Sequence, residues 1–455
     1  MGGSSQCPDW LQPGRCVLPS ESFLDFEAER ERLLTILLIS LLVFLIIGVP
    51  VAYSLGLSTF VYFVVVQPDI MHVLPQRLFS GMESYALIAL PLFILMGQVM
   101  NEGGITQRLI QFCLMFVGRF RGGLGLVNVG SSMLFGGISG SSSSDTASIG
   151  SVLIPEMEKR GYPKEFATGL TVASSTMGMI IPPSVPMILF AVTAQVSVGK
   201  LFLGGVLPGV LVGVFQLGLA LWLAHRKGYP KESTTFSRSL FVRSIYILIM
   251  PLFVVGVVVL GIATATESAG LGVLYAVLVG FFLTQHLTLA RFYKVLRSSI
   301  LTSAKIMIII AFSQVFIWVL ALERVPELVA GLAEGKELAP FVLLFIIIAI
   351  ILIAGTFIDV SPAILLLTPV FLPAIMAAGL SPILFGVILV TGLAVGACTP
   401  PVGNCLNVGA IVSGLKIGVI FPSALPFLMV NVLVLILCAT FPQLVLWLPD
   451  LLMGD

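Results

Sequence analysis

Met179-Ile180-Ile181-Pro182-Pro183-Ser184 and Ala397-Cys398-Thr399-Pro400-Pro401-Val402 are two double prolines set inside apolar segments of membrane length. Proline lacks a backbone N–H and its ring clashes with the preceding turn, so each pair breaks a helix and frees carbonyls. Hydrocarbon cannot satisfy those carbonyls, and a break survives in lipid only where protein or a water-filled cavity covers it. Two such breaks mark an expected binding site.

From Pro182 to Pro400 is 218 residues, and the same offset relates Gly137 to Gly355, Pro155 to Pro373, Gly161 to Gly379, Gly178 to Gly396, Pro183 to Pro401 and Leu207-Pro208 to Leu425-Pro426. With 45 Gly and 27 Pro some chance pairs arise, but not a gapless series of this length. The chain therefore reads as a duplicated half.

Composition sets the class. The chain is 58% hydrophobic and 10% charged, with a mean hydropathy of +1.11, whereas soluble domains carry about 25% charged residues. It is a polytopic membrane protein. A net charge of +1 without a basic stripe gives no sign of a nucleic-acid partner. The six Cys show no metal-ligand spacing. Cys113, Cys398, Cys405 and Cys438 read as packing residues in apolar segments, while Cys7 and Cys16 could pair if their polar tail is extracytoplasmic. His72, His225 and His286 sit near segment ends. No His/Asp/Cys constellation and no phosphate loop ending in Lys-Ser or Lys-Thr is present, so neither catalysis nor ATP drive is expected.

Residues 1–32 form a polar, acidic tail that lacks the basic start and short apolar core of a signal peptide. Its part from about Ser20 to Arg32 reads as solvated tail, or else as an interfacial helix or subunit contact. Apolar runs then give a first repeat over 33–225, with spans Leu33–Ile47, Val51–Val66, Tyr85–Met100, a broken span over 166–193 and Leu201–Leu223. The run over 123–157 is interrupted at Gly136 to Asp145, leaving arms too short to cross, and reads as a re-entrant hairpin with a polar tip. After a linker over 226–243 the order returns in 244–455: Ile245–Ile262, Ser268–Leu283, Ser299–Leu320, a hairpin over 341–376, a broken span over 384–412 and Val419–Leu446.

Each half thus carries five full spans and one hairpin, and an odd number forces the halves to insert in opposite orientations. The fold class is an all-α polytopic membrane protein built from two inverted repeats, the architecture of many secondary transporters. Loop charges agree with the count: 16 of the 23 Lys and Arg residues fall on one side, which places the linker in the cytoplasm and both termini outside it.

The chemistry is expected at four polar interruptions. Ser139 to Ser144, Asp145 and Thr146 offer hydroxyls, a carboxylate and loosened carbonyls, oxygen ligands that suit a hard cation such as sodium; helix packing is the plain alternative for such a serine run. Ser174, Ser175, Thr176 and Gly178 precede the first double proline and Ser184 follows it. Thr391, Gly392, Gly396 and Thr399 precede the second, with Gly403, Asn404 and Asn407 after it. Half-helix N-termini aim N–H groups at anions, and the preceding carbonyls can hold a cation. In the second hairpin, Gly355-Thr356-Phe357-Ile358-Asp359-Val360-Ser361-Pro362 sets Asp359 opposite Ser141 in the repeat. Asp359 is either an intramembrane ion ligand or the N-cap of the second arm, and Asp145 carries the same ambiguity. Glu267 reads as a cap that begins a span.

Gly136-Gly137-Ile138-Ser139-Gly140-Ser141-Ser142-Ser143-Ser144-Asp145, Ile154-Pro155-Glu156-Met157, Arg160 to Ala167, Ser174-Ser175-Thr176 with Ile180 to Pro186, Gly199-Lys200-Leu201-Phe202 and Leu207-Pro208-Gly209 together resemble the large membrane subunit of tripartite ATP-independent periplasmic (TRAP) transporters. Gly355 to Asp359 and Thr399-Pro400-Pro401-Val402-Gly403 match the same family, so the likeness spans nearly all of the chain after residue 32. The resemblance implies a sodium-driven elevator in a bacterial inner membrane, carrying both hairpins and both broken helices and using two or more sodium ions. It implies a small four-helix membrane subunit and a periplasmic binding protein that delivers an organic acid. A tail over 1–32 is too short to hold four helices, so the small subunit is expected as a separate chain. The implied sodium ligands are Ser139, Gly140, Ser141, Thr176 and Gly178 in one half and Gly355, Thr356, Asp359, Gly396 and Thr399 in the other. The expected substrate residues are Ser142, Ser143, Ser144, Asp145, Ser184, Phe357, Gly403 and Asn404. A stand-alone sodium or proton symporter is the alternative.

Overall fold

A computed structural model describes residues 34–231, 238–334 and 339–454. The acidic tail with Cys7 and Cys16 and the centre of the linker lie outside the described residues. Every named element among the described residues is helical, and the described residues divide into two compact units at the Val73–Leu74 boundary.

The first unit holds α1 (Leu34–Ile46) and α2 (Val51–Val65), followed by a 3-10 turn at Pro68–Val73. Gly48, at φ +90°, and Pro50, the residue before α2, separate the two helices.

The second unit begins with α3 (Leu74–Ser80), α4 (Ala89–Glu102) and α5 (Ile105–Val117). The first hairpin is α6 (Gly123–Ser139) and α7 (Ser142–Lys159). The broken span follows as α8 (Lys164–Ser174), α9 (Met177–Ile180) and α10 (Val185–Ala194), and α11 (Val198–Lys227) is the long helix after it. Next come α12 (Arg238–Val259), α13 (Ala265–Leu278) with a π-helical turn at Val279–Leu283, α14 (Leu289–Leu322) and α15 (Val325–Glu334). The second hairpin is α16 (Pro340–Phe357) and α17 (Val360–Ala377). Its broken span is α18 (Pro382–Gly396) and α19 (Asn404–Ser413), before α20 (Ile417–Thr440) and α21 (Gln443–Met453). Under the 218-residue offset α7 and α17 coincide at both ends. Among the described residues eight helices are long and apolar enough to cross a membrane, so the protein is a multi-pass membrane protein.

The hairpin tips are tighter than the Gly- and Ser-rich run suggested. α6 continues through Gly136 and Gly137 to Ser139, and only Gly140, at φ +61°, and the extended Ser141 form the turn. Ser142, Ser143 and Ser144 make the first turn of α7, where serine is tolerated best. In the second hairpin the turn is Ile358-Asp359. Three expectations about spans are corrected. The connections after Met100 and Leu320 contain the helices α5 and α15, short pieces that hide in a search for membrane-length runs. α14 begins at Leu289, ahead of Ser299, because Thr288 accepts from the Arg291 N–H and caps the first turn, and the basic residues Arg291, Lys294 and Arg297 interrupt the apolar pattern there. The last expected span, Val419–Leu446, is cut after Thr440 because Pro442 has no N–H with which to continue the helix.

Lipid supplies no hydrophobic drive between helices, so association rests on close packing of small residues and buried polar pairs. In each half the first hairpin arm lies backbone to backbone on the broken span. A Cβ on Gly136 would sit 3.0 Å from the Met177 carbonyl oxygen, and one on Gly396 would sit 2.6 Å from Gly355 Cα. Asn128 on α6 donates to Thr171 Oγ1 on α8 at 2.6 Å, and the Ser174 hydroxyl donates to Asn128 Oδ1 at 3.2 Å. The halves also exchange partners: α7 packs on α19, and α10 packs on both α17 and α18, where Phe190 lies edge-on to Phe385 at 5.7 Å. This exchange draws both tips and both breaks together.

Gly396→Val should destabilise the protein by about 1–3 kcal/mol, since the added atoms have no space beside Gly355. Gly256→Ala, which meets nothing within 4 Å, is the control for helix-glycine effects. Thermal unfolding of the two purified variants checks this; equal melting temperatures would show that the α16–α18 contact yields.

Candidate substrate and ion site

Tips and breaks enclose a cavity of about 490 Å³. Ser139 to Ser144 line it from the first tip and Asp359, Val360 and Ser361 from the second. Met179, Val185 and Pro186 contribute from the first break, and Ala397, Asn404, Cys405 and Val408 from the second. The opposite wall is α4 and α14, through Ile94, Gly97, Gln98, Thr302 and Ile306. Four helices, α7, α10, α17 and α19, therefore present their N-terminal residues to one space. Each N-terminus carries roughly half a positive charge, offset at α17 by the capping Asp359 carboxylate, so the N-termini of α7, α10 and α19 favour an anion although no Lys or Arg among the described residues lines the cavity. Hydroxyls and the Gln98 and Asn404 amides add neutral polar groups.

A second, smaller arrangement lies behind the first tip. Asp145 is fully buried on α7, and Ser139 Oγ hydrogen-bonds its Oδ1. That hydroxyl also accepts from the Ser141 N–H and lies 3.2 Å from the Ser141 carbonyl oxygen, yet it holds one proton for two acceptors. Asp145 Oδ2 has no hydrogen-bond partner among the described residues. A Cβ at Gly178 would run into that oxygen and come 3.3 Å from the Ser141 carbonyl carbon, so only glycine leaves the space open. A buried, unpartnered carboxylate oxygen costs several kcal/mol unless a counter-charge meets it. The donor set is all oxygen, and no cluster of three His, Cys, Asp or Glu exists among the described residues. This chemistry fits a hard cation.

The second half differs. Asp359 is the N-cap of α17: its Oδ1 accepts from the Val360 N–H at 2.9 Å and from Asn404 Nδ2 at 2.9 Å. The Val402 N–H donates to the Thr356 carbonyl at 3.1 Å, fastening the second break to the hairpin end. The hydroxyls of Thr356 and Thr399 are spent on the Ile353 and Val395 carbonyls of the turns that precede them. Gly355 and Gly396 touch through their backbones. By the 218-residue offset Asp145 corresponds to Ala363, so the buried carboxylate is not duplicated.

The structure places four of the expected substrate residues away from the cavity wall. Asp145 is buried behind the tip, for the reasons above. Ser184 caps α10, accepting from the Met187 N–H at 3.3 Å and donating to the Met179 carbonyl at 2.5 Å. Gly403, at φ +50°, forms the turn into α19. Phe357 ends α16 with 60% of its surface exposed. Ser142, Ser143, Ser144 and Asn404 line the cavity. Of the expected ion residues, Ser139, Ser141 and Gly178 converge on Asp145, Gly140 is the turn itself, and the Thr176 hydroxyl donates to Ala173 and accepts from Asn431. Gln98, Thr302, Gln216 and Asn431 escaped the sequence reading, although lone polar side chains inside apolar spans were the available signal.

The profile of the tripartite ATP-independent periplasmic transporter DctM component matches residues 38–444. The chain is 37% identical over 87% of its length to a Pseudomonas aeruginosa C4-dicarboxylate TRAP transporter large permease protein, covering 94% of that protein. It is 34% identical over 90% of its length to the Vibrio cholerae sialic acid TRAP transporter large permease protein, covering 96% of it. Among solved structures, the YdaH transporter of Alcanivorax borkumensis shares the fold at a TM-score of 0.62 and 14% identity, with 83% of this chain and 90% of that one aligned.

Asp359→Ala should lower stability by about 0.5–2 kcal/mol through loss of the cap, whereas Asp359→Asn, which keeps an acceptor at the N-cap, should stay near the unsubstituted protein. Denaturation of both variants checks the assignment, and an Asn variant as unstable as Ala would mean that the charge matters and not the cap.

Proposed function

The chain belongs to the DctM component family of tripartite ATP-independent periplasmic transporters, and we propose that it is the large transport subunit of such a system, coupling uptake of a small organic anion to sodium entry. The observation that carries the coupling is Asp145 Oδ2, a buried carboxylate oxygen with no partner, beside Ser139, the Ser141 carbonyl and Gly178. A sodium ion there would neutralise the charge and hold the tip of the first hairpin against the first break. Gly355, Thr356, Gly396 and Thr399 offer a second ion site made of carbonyls.

The substrate belongs in the cavity of about 490 Å³, its carboxylate on the helix N-termini and tip serines, with Asn404 and Gln98 meeting other polar groups. Relatives named for C4-dicarboxylates and sialic acid support a carboxylate class. Entry of an anion alone opposes a negative-inside potential by about 2.3 kcal/mol per charge per 100 mV, and two sodium ions per monocarboxylate reverse that sign. In this reading a small four-helix membrane subunit completes the scaffold and a periplasmic binding protein delivers the substrate. The chain sits in the bacterial inner membrane with both termini periplasmic, and the tips and broken helices move together as an elevator.

Proteoliposomes holding the chain with its small subunit should take up a labelled organic acid only with both an inward sodium gradient and the binding protein. Asp145→Asn should raise the sodium concentration for half-maximal uptake by roughly tenfold or more. Uptake in choline would overturn the sodium coupling, and uptake without the binding protein would favour a stand-alone symporter.

A further inference from the structure

Two amides, one from each repeat, meet inside the protein at the first helix break. Gln216 on α11 and Asn431 on α20 are both fully buried. Gln216 Nε2 donates to Asn431 Oδ1 at 2.7 Å and to the Ala173 carbonyl at 3.2 Å. Asn431 Nδ2 donates to Thr176 Oγ1 at 2.8 Å and reaches the same carbonyl at 3.5 Å. The Thr176 hydroxyl itself donates to Ala173 O at 2.7 Å. Three side-chain donors thus converge on one carbonyl where α8 ends, and the segment they hold leads within two residues to Gly178, the neighbour of Asp145 Oδ2.

We propose that Gln216 and Asn431 form an inter-repeat clamp that positions the Ala173–Gly178 break and thereby sets the sodium affinity of the first ion site. The inference rests on the sodium reading above. Two further observations support a positioning role. First, the clamp is absent from the second half: under the 218-residue offset Gln216 corresponds to Val434, Asn431 to Gly213 and Thr176 to Ala394. The backbone is duplicated, but only the break beside the buried carboxylate is fastened this way. Second, Gln216 Oε1 is buried without a partner. A polar pair kept for stability alone would not strand an acceptor, because an unsatisfied buried group cancels much of what the bonds contribute. The two ion sites are therefore unequal, the first preorganised by side chains and the second closed through backbone contacts.

Replacing both amides by apolar residues of similar size removes the bonds while sparing the fold, since paired deletion leaves no orphan. The test titrates the thermal stability of the purified complex with sodium chloride against choline chloride at constant ionic strength. In Gln216→Leu/Asn431→Leu the sodium concentration for half-maximal stabilisation should rise roughly tenfold or more, the loss usual when groups supporting an ion ligand are removed, with the melting temperature in choline near that of the unsubstituted protein. Gln216→Met, which removes one donor and keeps the side-chain length, should move the midpoint in the same direction and serves if the double variant does not fold. An unchanged midpoint in either folded variant overturns the clamp while leaving sodium binding intact. An unsubstituted protein that sodium does not stabilise would overturn the sodium reading and the clamp with it, a failure recognisable because it precedes any substitution.

Discussion

Backbone groups released by a break in a membrane helix must find partners inside the protein, and nearly every feature around the cavity answers that demand. At the first break three side chains meet the Ala173 carbonyl, and at the second the Val402 N–H turns to the Thr356 carbonyl of the neighbouring hairpin. Each broken span is thereby tied to an element outside itself. The exchange of partners between halves, α7 with α19 and α10 with α17, follows from the same need, because a half-helix starting at mid-membrane has to be covered by protein along its length.

Covering the breaks also concentrates electrostatics. Four helix N-termini face one cavity, while a single carboxylate, Asp145, is enclosed just behind it. The site is therefore suited to an anion at its surface and a cation in its interior, two ligands whose charges stabilise one another. Such a pair links binding of one to binding of the other without any direct contact, which is the physical content of coupling. The duplication supplies the geometry, and the departures from duplication supply the chemistry: Asp145 faces Ala363 in the repeat, Asp359 faces Ser141, and the Gln216–Asn431 pair has no counterpart.

Much of this architecture is legible in the residues. Double prolines, glycines in register and short apolar arms locate both hairpins and both breaks, because each reflects a backbone requirement that few residue types meet. Side-chain roles are less legible. Asp145 and Asp359 look alike as single acidic residues at hairpin tips, yet one is enclosed by Gly178 from another helix and the other caps its own. Phe357 has the look of a pocket aromatic, and most of its surface is exposed at the end of α16. Gln216 and Asn431 resemble ordinary helix-contact amides until tertiary structure reveals what each donates to. The amphipathic α5 and the short α15 are hidden by their length, which is below that of a span.

The enclosed carboxylate is the centre of the account, and a density map of the assembled transporter prepared once in sodium and once in choline addresses it directly. Density between Asp145, Ser139 and the Ser141 carbonyl, present in sodium and lost in choline, is the predicted result. The same space empty in both, with Asp145 turned to a protein or water partner, would contradict it.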